Sequence, residues 1–447
     1  MLEVRLVPPP ADDPWFVPRT AHAERLRTDM LAIAAAAIDA AAPGPPVARA
    51  LADRPVDGRR ILVAAIGKAA PAMARAAVHA LAGHEIYGLT VAPERVGGAV
   101  EPLEPFEAGH PLPDAGSFAA ARALQRELAR TTADDEVLLL LSGGASALVA
   151  APGGAVTPED YRSLTTLLLG SGADIGAINV VRKHVDALKG GHTARLAAPS
   201  RVRALVLSDV VGDDPATIGS GPVSPDPSTF ADAIDVLHSH NLWAATPERV
   251  RRHLEHGALG ELPETPKPGE PVFDGVDLRV VGNNELARVG AAAAARRLGY
   301  DPVMLETPLT GEARTAGDAL ATRARAGSRP RIALIGGGET VVHVRGGGRG
   351  GRNQELVLAA AIGLAGEPGV LIGSFGTDGI DGPTSVAGAV ADGDSVQRAA
   401  ERGLDAHACL EDNDAFGFFG GLHDLLLTGP TGTNVLDVQV VLIDPDD

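Results

Sequence analysis

The chain has 447 residues, of which 45% are hydrophobic and 21% are charged, so it can bury sizeable cores and is not a disordered protein. At roughly 100–200 residues per domain, this length favours two or three domains. The net charge of −18 and the aromatic content of 3% argue against a general binder of nucleic acid or of an anionic membrane. An anionic small molecule is not excluded, because charges more than about 8 Å away are screened and local groups decide.

The chain contains a single cysteine, Cys409, so it has no intrachain disulfide. Because no basic segment followed by an apolar one begins the sequence, we expect a reducing cytoplasm as the location. The longest uncharged run, residues 137–158, is interrupted by glycines and by Pro152. We therefore predict a buried strand and a glycine turn there rather than a membrane span. The composition leaves a homo-oligomer open.

The first half of the chain alternates apolar strands with alanine-rich helices. Residues 1–20 are rich in proline and predict an irregular arm, and residues 20–42 predict a long helix. The first strand is followed by Gly67, Lys68 and a helix with Pro71 in its first turn. Buried strands are predicted at residues 61–66, 137–141 and 202–207. This rhythm indicates a mostly parallel sheet with helices on both faces.

A second strand and helix series follows a stretch rich in Pro, Glu and Gly at residues 260–277, which we interpret as a linker. Its strands are predicted at residues 278–281, 331–335, 370–373 and 435–443. The predicted fold is therefore α/β with two domains, residues 1–265 and residues 277–447. In both halves glycines and charged residues follow the strands, and open α/β sheets bind ligands at that edge. We expect the site in the cleft between the two halves.

Residues 142–146, Ser-Gly-Gly-Ala-Ser, follow a predicted strand and precede a predicted helix. Glycines let backbone N–H groups approach an anion, and a helix N-terminus favours negative charge. The alternative is a tight turn with packing glycines. Candidate groups for binding substrate or phosphate are Ser142, Gly143, Gly144 and Ser146.

Lysine is rare in this chain, and Lys68 stands directly after a predicted strand. The surrounding residues do not form a P-loop, since the required glycine and Ser/Thr are missing. Two interpretations of Lys68 remain open, a functional lysine and a solvated surface lysine. Farther along, the cations Arg182, Lys183 and Lys189 form either a solvated helix face or anion-binding groups, and we keep Lys189 as a candidate. The nearby histidines lack the spacing of a zinc site.

The glycine-rich stretch 346–352 carries Arg349 and Arg352 and predicts a mobile cationic loop. Arginine can recognise phosphate or carboxylate in a bidentate manner. We expect Asn353, Gln354 and Glu355 to cap the helix that follows, and we count Arg349, Asn353 and Glu355 among the candidate binding residues. The alternative is a disordered surface loop.

Several aspartates follow the predicted strands among glycines. Mg²⁺ takes one or two carboxylates together with phosphate oxygens and waters. Aspartate also caps helices and forms turns, which is the alternative for each of them. The group comprises Asp209, Asp213, Asp214, Asp378 and Asp381. Of these we predict Asp209 and Asp378 as metal ligands.

Several stretches, in this order, together resemble the class II glycerate kinases with a MOFRL C-terminal domain. They are IGKA, LLSGGASAL, INVVRKHVDALKGG, LSDVVGDDPATIGSGP, GGGETVV, GRGGRNQEL, FGTDGIDGPT and TGPTGTNVLD, and they run from about residue 61 to residue 439. The resemblance implies an N-terminal Rossmann-like domain and a smaller α/β MOFRL domain. It also implies ATP-dependent phosphorylation of D-glycerate at the 2-hydroxyl, giving 2-phosphoglycerate and ADP with Mg²⁺ as cofactor. The catalytic lysine and arginine of the family look like Lys68 and Arg352.

Two other classes of function stay open at this point. One is an NAD(P)H-dependent hydroxypyruvate reductase, a name that relatives of this family have carried. A clear dinucleotide fingerprint with its downstream acidic residue is missing from the sequence. The other is a non-catalytic metabolite-binding protein, which would have no need of a lysine and an arginine acting together.

Overall fold

A computed structural model describes residues 3–8, 19–56, 58–93, 98–326 and 331–444. The strands are β1 Arg5–Leu6, β2 Arg60–Ile66, β3 Glu85–Ala92, β4 Glu104–Glu107, β5 Glu136–Leu141, β6 Arg201–Leu207, β7 Val276–Gly282, β8 Asp301–Met304, β9 Ile332–Gly338, β10 Val370–Gly376, β11 Gly388–Asp392, β12 Leu425–Leu427 and β13 Asp437–Ile443.

The α-helices follow the same chain order. They are α1 Ala21–Ala40, α2 Gly44–Asp53, α3 Ala70–Ala80, α4 Ala115–Leu128, α5 Ala145–Leu148, α6 Pro158–Leu169, α7 Ile175–His184, α8 His192–Ala197, α9 Phe230–Ser239, α10 Glu248–Ala258, α11 Asn284–Arg297, α12 Ala313–Ala326, α13 Arg352–Gly363, α14 Ser395–Glu401, α15 Ala406–Glu411 and α16 Ala415–Leu422. Much of the predicted irregular arm, residues 9–18, lies outside the described residues, and β1 forms part of the remainder.

The chain divides into two compact units. The middle unit comprises residues 43–281, and the split unit comprises residues 1–42 together with residues 282–447. This division differs from the predicted boundaries, which placed the N-terminal helix in the first domain and the second domain from residue 277 onward. The packing of α1 and of β7, described below, accounts for both differences.

The middle unit is built on a six-stranded sheet in the order β4-β3-β2-β5-β6-β7. The neighbours from β4 to β6 all pair in parallel, as the alternation of strands and helices predicts. β7 lies beside β6, and the amide of Val202 donates to the carbonyl of Gly275 at 2.9 Å. Alternate apolar residues of β7, among them Leu278 and Val280, pack against the core of this sheet. The predicted linker at residues 260–277 is therefore part of the middle unit.

The strands of the middle unit are apolar on both faces, which is typical of a parallel sheet covered by helices. Every residue of β5 is buried, and so are residues 61–66 of β2. Helices α3 and α4 contact this sheet, while α6, α7, α9 and α10 bury a separate core that includes Tyr161 and Phe230. Gly88 of β3 has a φ of +131°, and a Cβ there would lie 2.1 Å from the carbonyl oxygen of Val63. The close approach of β2 therefore requires glycine at that position.

The split unit holds a seven-stranded sheet in the order β1-β12-β11-β10-β13-β9-β8. Its pairs are antiparallel except β8 with β9, which is parallel. β13 lies between β9 and β10 and runs opposite to both, so Asp437 is paired with Gly338 on one side and Gly376 on the other. Residues that follow β9 and β10 therefore converge on the residue that begins β13.

Helix α1 belongs to the split unit because its apolar face packs on α11 and touches β10 and β13. A Cβ on Gly290 of α11 would lie 2.4 Å from the Cβ of Ala40, so the two helices cross at close range. Arg27 of α1 is 2% exposed and forms ion pairs with Asp392 and Asp424. The segment Ala21–Asp53 is long and apolar enough to cross a membrane by length and composition alone. Its buried ion pairs and packing are those of a core helix.

Candidate active site

The turn that carries Lys68 is bonded to the turn that follows β5. The amide of Lys68 donates to the carbonyl of Gly143 at 2.9 Å, and the amide of Ala69 donates to Ser142 Oγ at 3.0 Å. Gly67 has a φ of +131°, and a Cβ there would lie 2.1 Å from Ser142 Oγ. The structure therefore brings half-buried Lys68 beside the Ser-Gly-Gly-Ala-Ser turn, at the carboxyl edge of the parallel sheet.

The interpretation of that turn changes with the structure. Ser142 is 1% exposed and its hydroxyl holds the Lys68 turn, so its role here is structural. The helix that follows, α5, has only four residues, too few for the helix N-terminus that the sequence predicts as an anion site. Gly144 is half-buried with a φ of +87°, and a Cβ there would lie 3.0 Å from Cδ2 of His110. His110 beside this turn was not predicted from the sequence. Its position between a glycine and a proline is the only sequence signal that could have drawn attention to it.

Lys189 is 2% exposed and has a full set of partners inside the middle unit. Its Nζ donates to Asp186 at 2.5 Å, to the carbonyl of Val149 at 3.0 Å and to the hydroxyl of Tyr161 at 3.1 Å. An ammonium group has three N–H donors, and all three are used. Burial also lowers the pKa of Lys189. This geometry gives no support to the prediction that Lys189 binds substrate.

Arg182 occupies a different position from its neighbours in sequence. It lies on α7 three residues after Asn179, so both side chains point from the same face of the helix. Arg182 is half-buried, and no hydrogen bond joins its guanidinium to any residue that the structure describes. Burial lowers its pKa, while Tyr161 and Asp186 act in the opposite direction. A partly desolvated guanidinium with unused donors is suited to binding a carboxylate or phosphate.

Arg352 begins α13 in the split unit and is held by two carboxylates. Its Nε and Nη2 donate to Asp437 at 2.5 and 3.0 Å, and its Nη1 donates to Glu339 at 2.7 Å. Although burial lowers it, the pKa of Arg352 is raised by its hydrogen bond and charge interaction with Asp437. One N–H on each Nη atom remains without a partner among the described residues. Two remaining N–H donors of a fixed guanidinium suit an oxyanion.

The glycine-rich loop before Arg352 is bonded along its length, which differs from the mobile loop that the sequence predicts. Its amides donate to the side chains of Asp412, Asn413 and Asp414. A Cβ on Gly348 would lie 2.4 Å from the Cβ of Asp414, so close approach rather than mobility requires the glycine. The exposed Arg349 lies over the ring of Phe416, with 5.0 Å between its guanidinium carbon and the ring centroid.

The start of α13 is capped by Asp381, so the prediction that Asn353, Gln354 and Glu355 cap it is wrong. Asp381 accepts hydrogen bonds from the amides of Asn353 and Gln354 at 3.0 and 2.9 Å and also from both side chains. Burial raises the pKa of Asp381 to about 6. Asn353 and Glu355 are 1% and 2% exposed, and Glu355 is bonded to Arg314 and to an asparagine. Both candidates therefore support the position of Arg352 from within the core.

The two predicted metal ligands, Asp209 and Asp378, are half-buried just after β6 and β10, one in each unit. Asp378 Oδ1 accepts from the amide of Ile380 at 3.0 Å. Asp214 forms a turn by accepting from Ala216 and Thr217, as the alternative reading of these aspartates predicts. Within the described ranges no group of three His, Cys, Asp or Glu residues is arranged to hold a metal ion. Single carboxylates fit Mg²⁺ only where phosphate oxygens and waters complete the shell.

Comparison with known proteins defines the class. Residues 29–255 match the family described as a domain of unknown function, DUF4147, and residues 332–437 match the MOFRL family. The chain is 40% identical over 393 residues to the D-glycerate 2-kinase of Thermotoga maritima, covering 86% of this chain and 91% of that protein. A putative hydroxypyruvate reductase of Agrobacterium vitis is 40% identical over 418 residues, covering 91% of this chain and 92% of its own length.

A crystal structure of a glycerate kinase from Thermotoga maritima superimposes with a TM-score of 0.85 at 39% identity. It covers 94% of this chain and 100% of its own. The fold is therefore that of the two-domain glycerate kinases. The chain belongs to the class II glycerate kinase family with a MOFRL C-terminal domain.

Proposed function

We propose that the protein is an ATP-dependent D-glycerate 2-kinase, which transfers a phosphoryl group to the 2-hydroxyl and releases 2-phosphoglycerate and ADP. The observation that carries this proposal is that a lysine and an arginine stand at the strand-end edges of the two sheets in a chain of the glycerate kinase family. Phosphoryl transfer depends mainly on positioning and on stabilising negative charge, which these two cations can supply. A location of the active site in the cleft between the two halves stays a prediction.

Lys68 and Arg352 divide the charge stabilisation in this proposal. The ammonium of Lys68 neutralises negative charge that develops on the transferring phosphoryl group. Arg352 offers its remaining N–H donors to the oxygens of that group, and the ion pair with Asp437 fixes the plane of the guanidinium. A donor of this kind contributes about 3–4 kcal/mol to the transition state in enzymes where one has been removed.

Arg182 is our candidate for the carboxylate of D-glycerate. Its guanidinium has unused donors one helical turn after Asn179 on α7, whereas Lys183 and Lys189 are committed to Asp226 and Asp186. An arginine can hold a carboxylate through two hydrogen bonds and so orient the hydroxyl groups of the substrate. This role replaces the one that the sequence predicts for Lys189.

In this proposal the nucleotide substrate is ATP, bound together with Mg²⁺, and the protein is located in the cytoplasm. The edge that holds Arg352 also carries three carboxylates, those of Glu339, Asp378 and Asp437. A bare phosphate would be repelled there, while a nucleotide that arrives with a divalent cation would not. Asp209 and Asp378 are the residues that would hold the cation, which would shield the phosphate charges.

The name of the relative from Agrobacterium vitis motivates one rival function, the reduction of hydroxypyruvate by NAD(P)H. A dinucleotide fold places its glycine turn at the start of a long helix, where the pyrophosphate binds. Here the glycine turn after β5 leads into the four-residue α5, and the turn after β2 carries Lys68. These features favour the kinase.

The test is to incubate the purified protein with ATP, Mg²⁺ and D-glycerate and to identify the phosphorylated carbon by ³¹P NMR. We expect ADP and 2-phosphoglycerate, and product formation about 100- to 1000-fold slower with the Lys68→Ala variant purified in parallel. Exclusive formation of 3-phosphoglycerate would contradict the 2-kinase. Oxidation of NADH with hydroxypyruvate, without ADP formation from D-glycerate, would establish the rival function instead.

A further inference from the structure

A chain of three polar side chains leads from the glycine turn of the middle unit into its core. Ser146 Oγ lies 2.8 Å from Ser220 Oγ, and Ser220 Oγ lies 2.9 Å from Asn179 Oδ1. Asn179 Nδ2 donates in turn to the carbonyl of Thr217 at 3.3 Å. Ser220 is fully buried and Asn179 is 3% exposed, whereas Ser146 is half-buried at the edge of the sheet.

The direction of every hydrogen bond in this chain follows from its inner end. The carbonyl of Thr217 can only accept, so the amide nitrogen of Asn179 must face it and Asn179 Oδ1 must face Ser220. Ser220 has one proton and gives it to Asn179 Oδ1. Ser220 can therefore only accept a hydrogen bond from Ser146. The single hydroxyl proton of Ser146 is used in that bond. The outer end of the chain offers lone pairs and no donor.

We propose that Ser146 recognises a hydroxyl group of the substrate as a hydrogen-bond donor and thereby selects a dihydroxy acid. This inference rests on the proposed function and makes the prediction that Ser146 binds substrate or phosphate more specific. A carboxylate or phosphate oxygen has no proton to offer, so it would meet lone pairs at Ser146. A hydroxyl, by contrast, completes the chain.

The hydroxyl bound in this way is the one that does not react. The chain ends on a neutral amide and a backbone carbonyl, and neither can take up a proton at ordinary pH. Ser146 can therefore hold the proton of a hydroxyl but cannot remove it. In D-glycerate phosphorylated at C2, the group that meets Ser146 is the C3 hydroxyl. Ser146 is thus a specificity-determining residue and not a general base.

The backbone conformation of the central residue in this hydrogen-bonded series supports a functional role for the series. Ser220 has a φ of +61° and stands between Gly219 and Gly221, whose φ values are +61° and +62°. Glycine adopts this conformation without strain, but serine does so rarely. A serine kept in a conformation that suits glycine needs a compensating role, and its hydroxyl is the link between Ser146 and Asn179.

The test compares the binding of D-glycerate and D-lactate, which lacks the C3 hydroxyl, by isothermal titration calorimetry. One neutral hydrogen bond corresponds to about a five- to tenfold difference in affinity. We expect the wild-type protein to prefer D-glycerate by about that factor and Ser146→Ala to reduce the preference to less than about twofold. Ser239→Ala is the control, because Ser239 is an exposed serine whose hydroxyl donates to the carbonyl of Val236 on its own helix.

A second variant tests the proton direction itself. Ser220→Gly suits the positive φ, so it should fold, and it frees the proton of Ser146. Hydroxymalonate carries a carboxylate, an acceptor only, in place of the C3 hydroxyl group. We expect the variant to bind hydroxymalonate about fivefold more tightly than the wild type does.

The outcomes separate this inference from the proposed function. An unchanged preference for D-glycerate in Ser146→Ala, unchanged hydroxymalonate affinity in Ser220→Gly, or no D-glycerate binding to the wild type would each overturn it. If the preference collapses as expected while the wild type forms no ADP from ATP and D-glycerate, the recognition of the hydroxyl stands and the kinase does not.

Discussion

The strand-end edges of the two units are organised in different ways. In the split unit, Arg352 is fixed by charged partners, because Asp437 and Glu339 bind three of its five N–H groups. In the middle unit, the turn beside Lys68 is fixed by backbone groups and by the hydroxyl of Ser142. A neutral chain from Ser146 to Asn179 completes that edge.

This difference indicates that the two edges have different roles in the proposed reaction. Ion pairs hold a guanidinium in a defined plane but cancel part of its charge, which suits a group that orients an oxyanion. Neutral hydrogen bonds with a fixed direction let a hydroxyl be distinguished from an acceptor. We expect the middle unit to select the substrate and the split unit to orient the phosphoryl group.

The largest effect is expected from Lys68→Ala, which removes a cation from the strand-end edge of the middle unit. Turnover should fall about 100- to 1000-fold, by analogy with the loss of an oxyanion donor. The melting temperature should change little, because Lys68 is half-buried in a turn that its backbone holds. Steady-state kinetics and calorimetry measure both quantities. The control is Lys267→Ala, which changes another lysine of the middle unit. Near wild-type turnover of Lys68→Ala would indicate that Lys68 is a solvated surface lysine with no catalytic role.

Arg182→Gln tests whether the middle unit selects the substrate. Loss of a charge-assisted hydrogen bond costs about 1.5–3 kcal/mol, so kcat/KM for D-glycerate should fall about 10- to 100-fold. The fall should come mainly from KM, since the carboxylate is bound equally in the ground state and the transition state. Arg162→Gln, an exposed arginine on α6, serves as the matched control. A fall confined to kcat would place Arg182 outside substrate binding.

Asp437→Asn tests whether the split unit orients the transferring group. The amide keeps the shape of the side chain but cannot accept from Nε and Nη2 of Arg352 together. We expect kcat to fall about tenfold or more, because small misplacement of a catalytic group costs up to about 100-fold. Asp444→Asn changes a buried aspartate paired with arginine at the other end of β13, and it should lose stability but keep kcat. Equal losses of kcat in the two variants would speak against orientation.

The last prediction concerns the acid stability of the split unit and leaves activity at neutral pH unchanged. Although burial raises it, the pKa of Asp392 is lowered to about 2 by Arg27 and Arg398. Because this folded-state pKa lies below the ordinary value, the stabilisation is present above about pH 4 and is lost as the pH falls towards 2. The free energy of unfolding should fall by about 2 kcal/mol more for the wild type than for Asp392→Asn between pH 5 and pH 2. Parallel pH profiles would show that the ion pair contributes nothing.

Much of the fold follows from local patterns. Alternation of apolar strands and helices predicts the parallel sheet of the middle unit, and each predicted strand coincides with an observed one within a few residues. The neighbourhood of Lys68 and the Ser-Gly-Gly-Ala-Ser turn follows too, since β2 and β5 are adjacent parallel strands and their ends meet at one edge. Lys68, Gly143 and Ser146 could therefore be placed at one edge from sequence.

By itself the sequence determined the class of the fold and the strands that carry the edge residues. It also determined that Lys68 and Arg352 stand after or near those strands. These features could be predicted because hydrophobic periodicity and glycine turns act over a few residues. Only the tertiary structure decided what polar side chains do. Ser142, Lys189 and Glu355 turned out to hold the scaffold, because most of their partners lie far away in the chain and no local pattern encodes them. The same holds for α1, which packs on α11, and for the proton direction at Ser146, which Asn179 and Thr217 set. A polar residue becomes a binding group or a structural one according to whether the folded chain leaves it a partner.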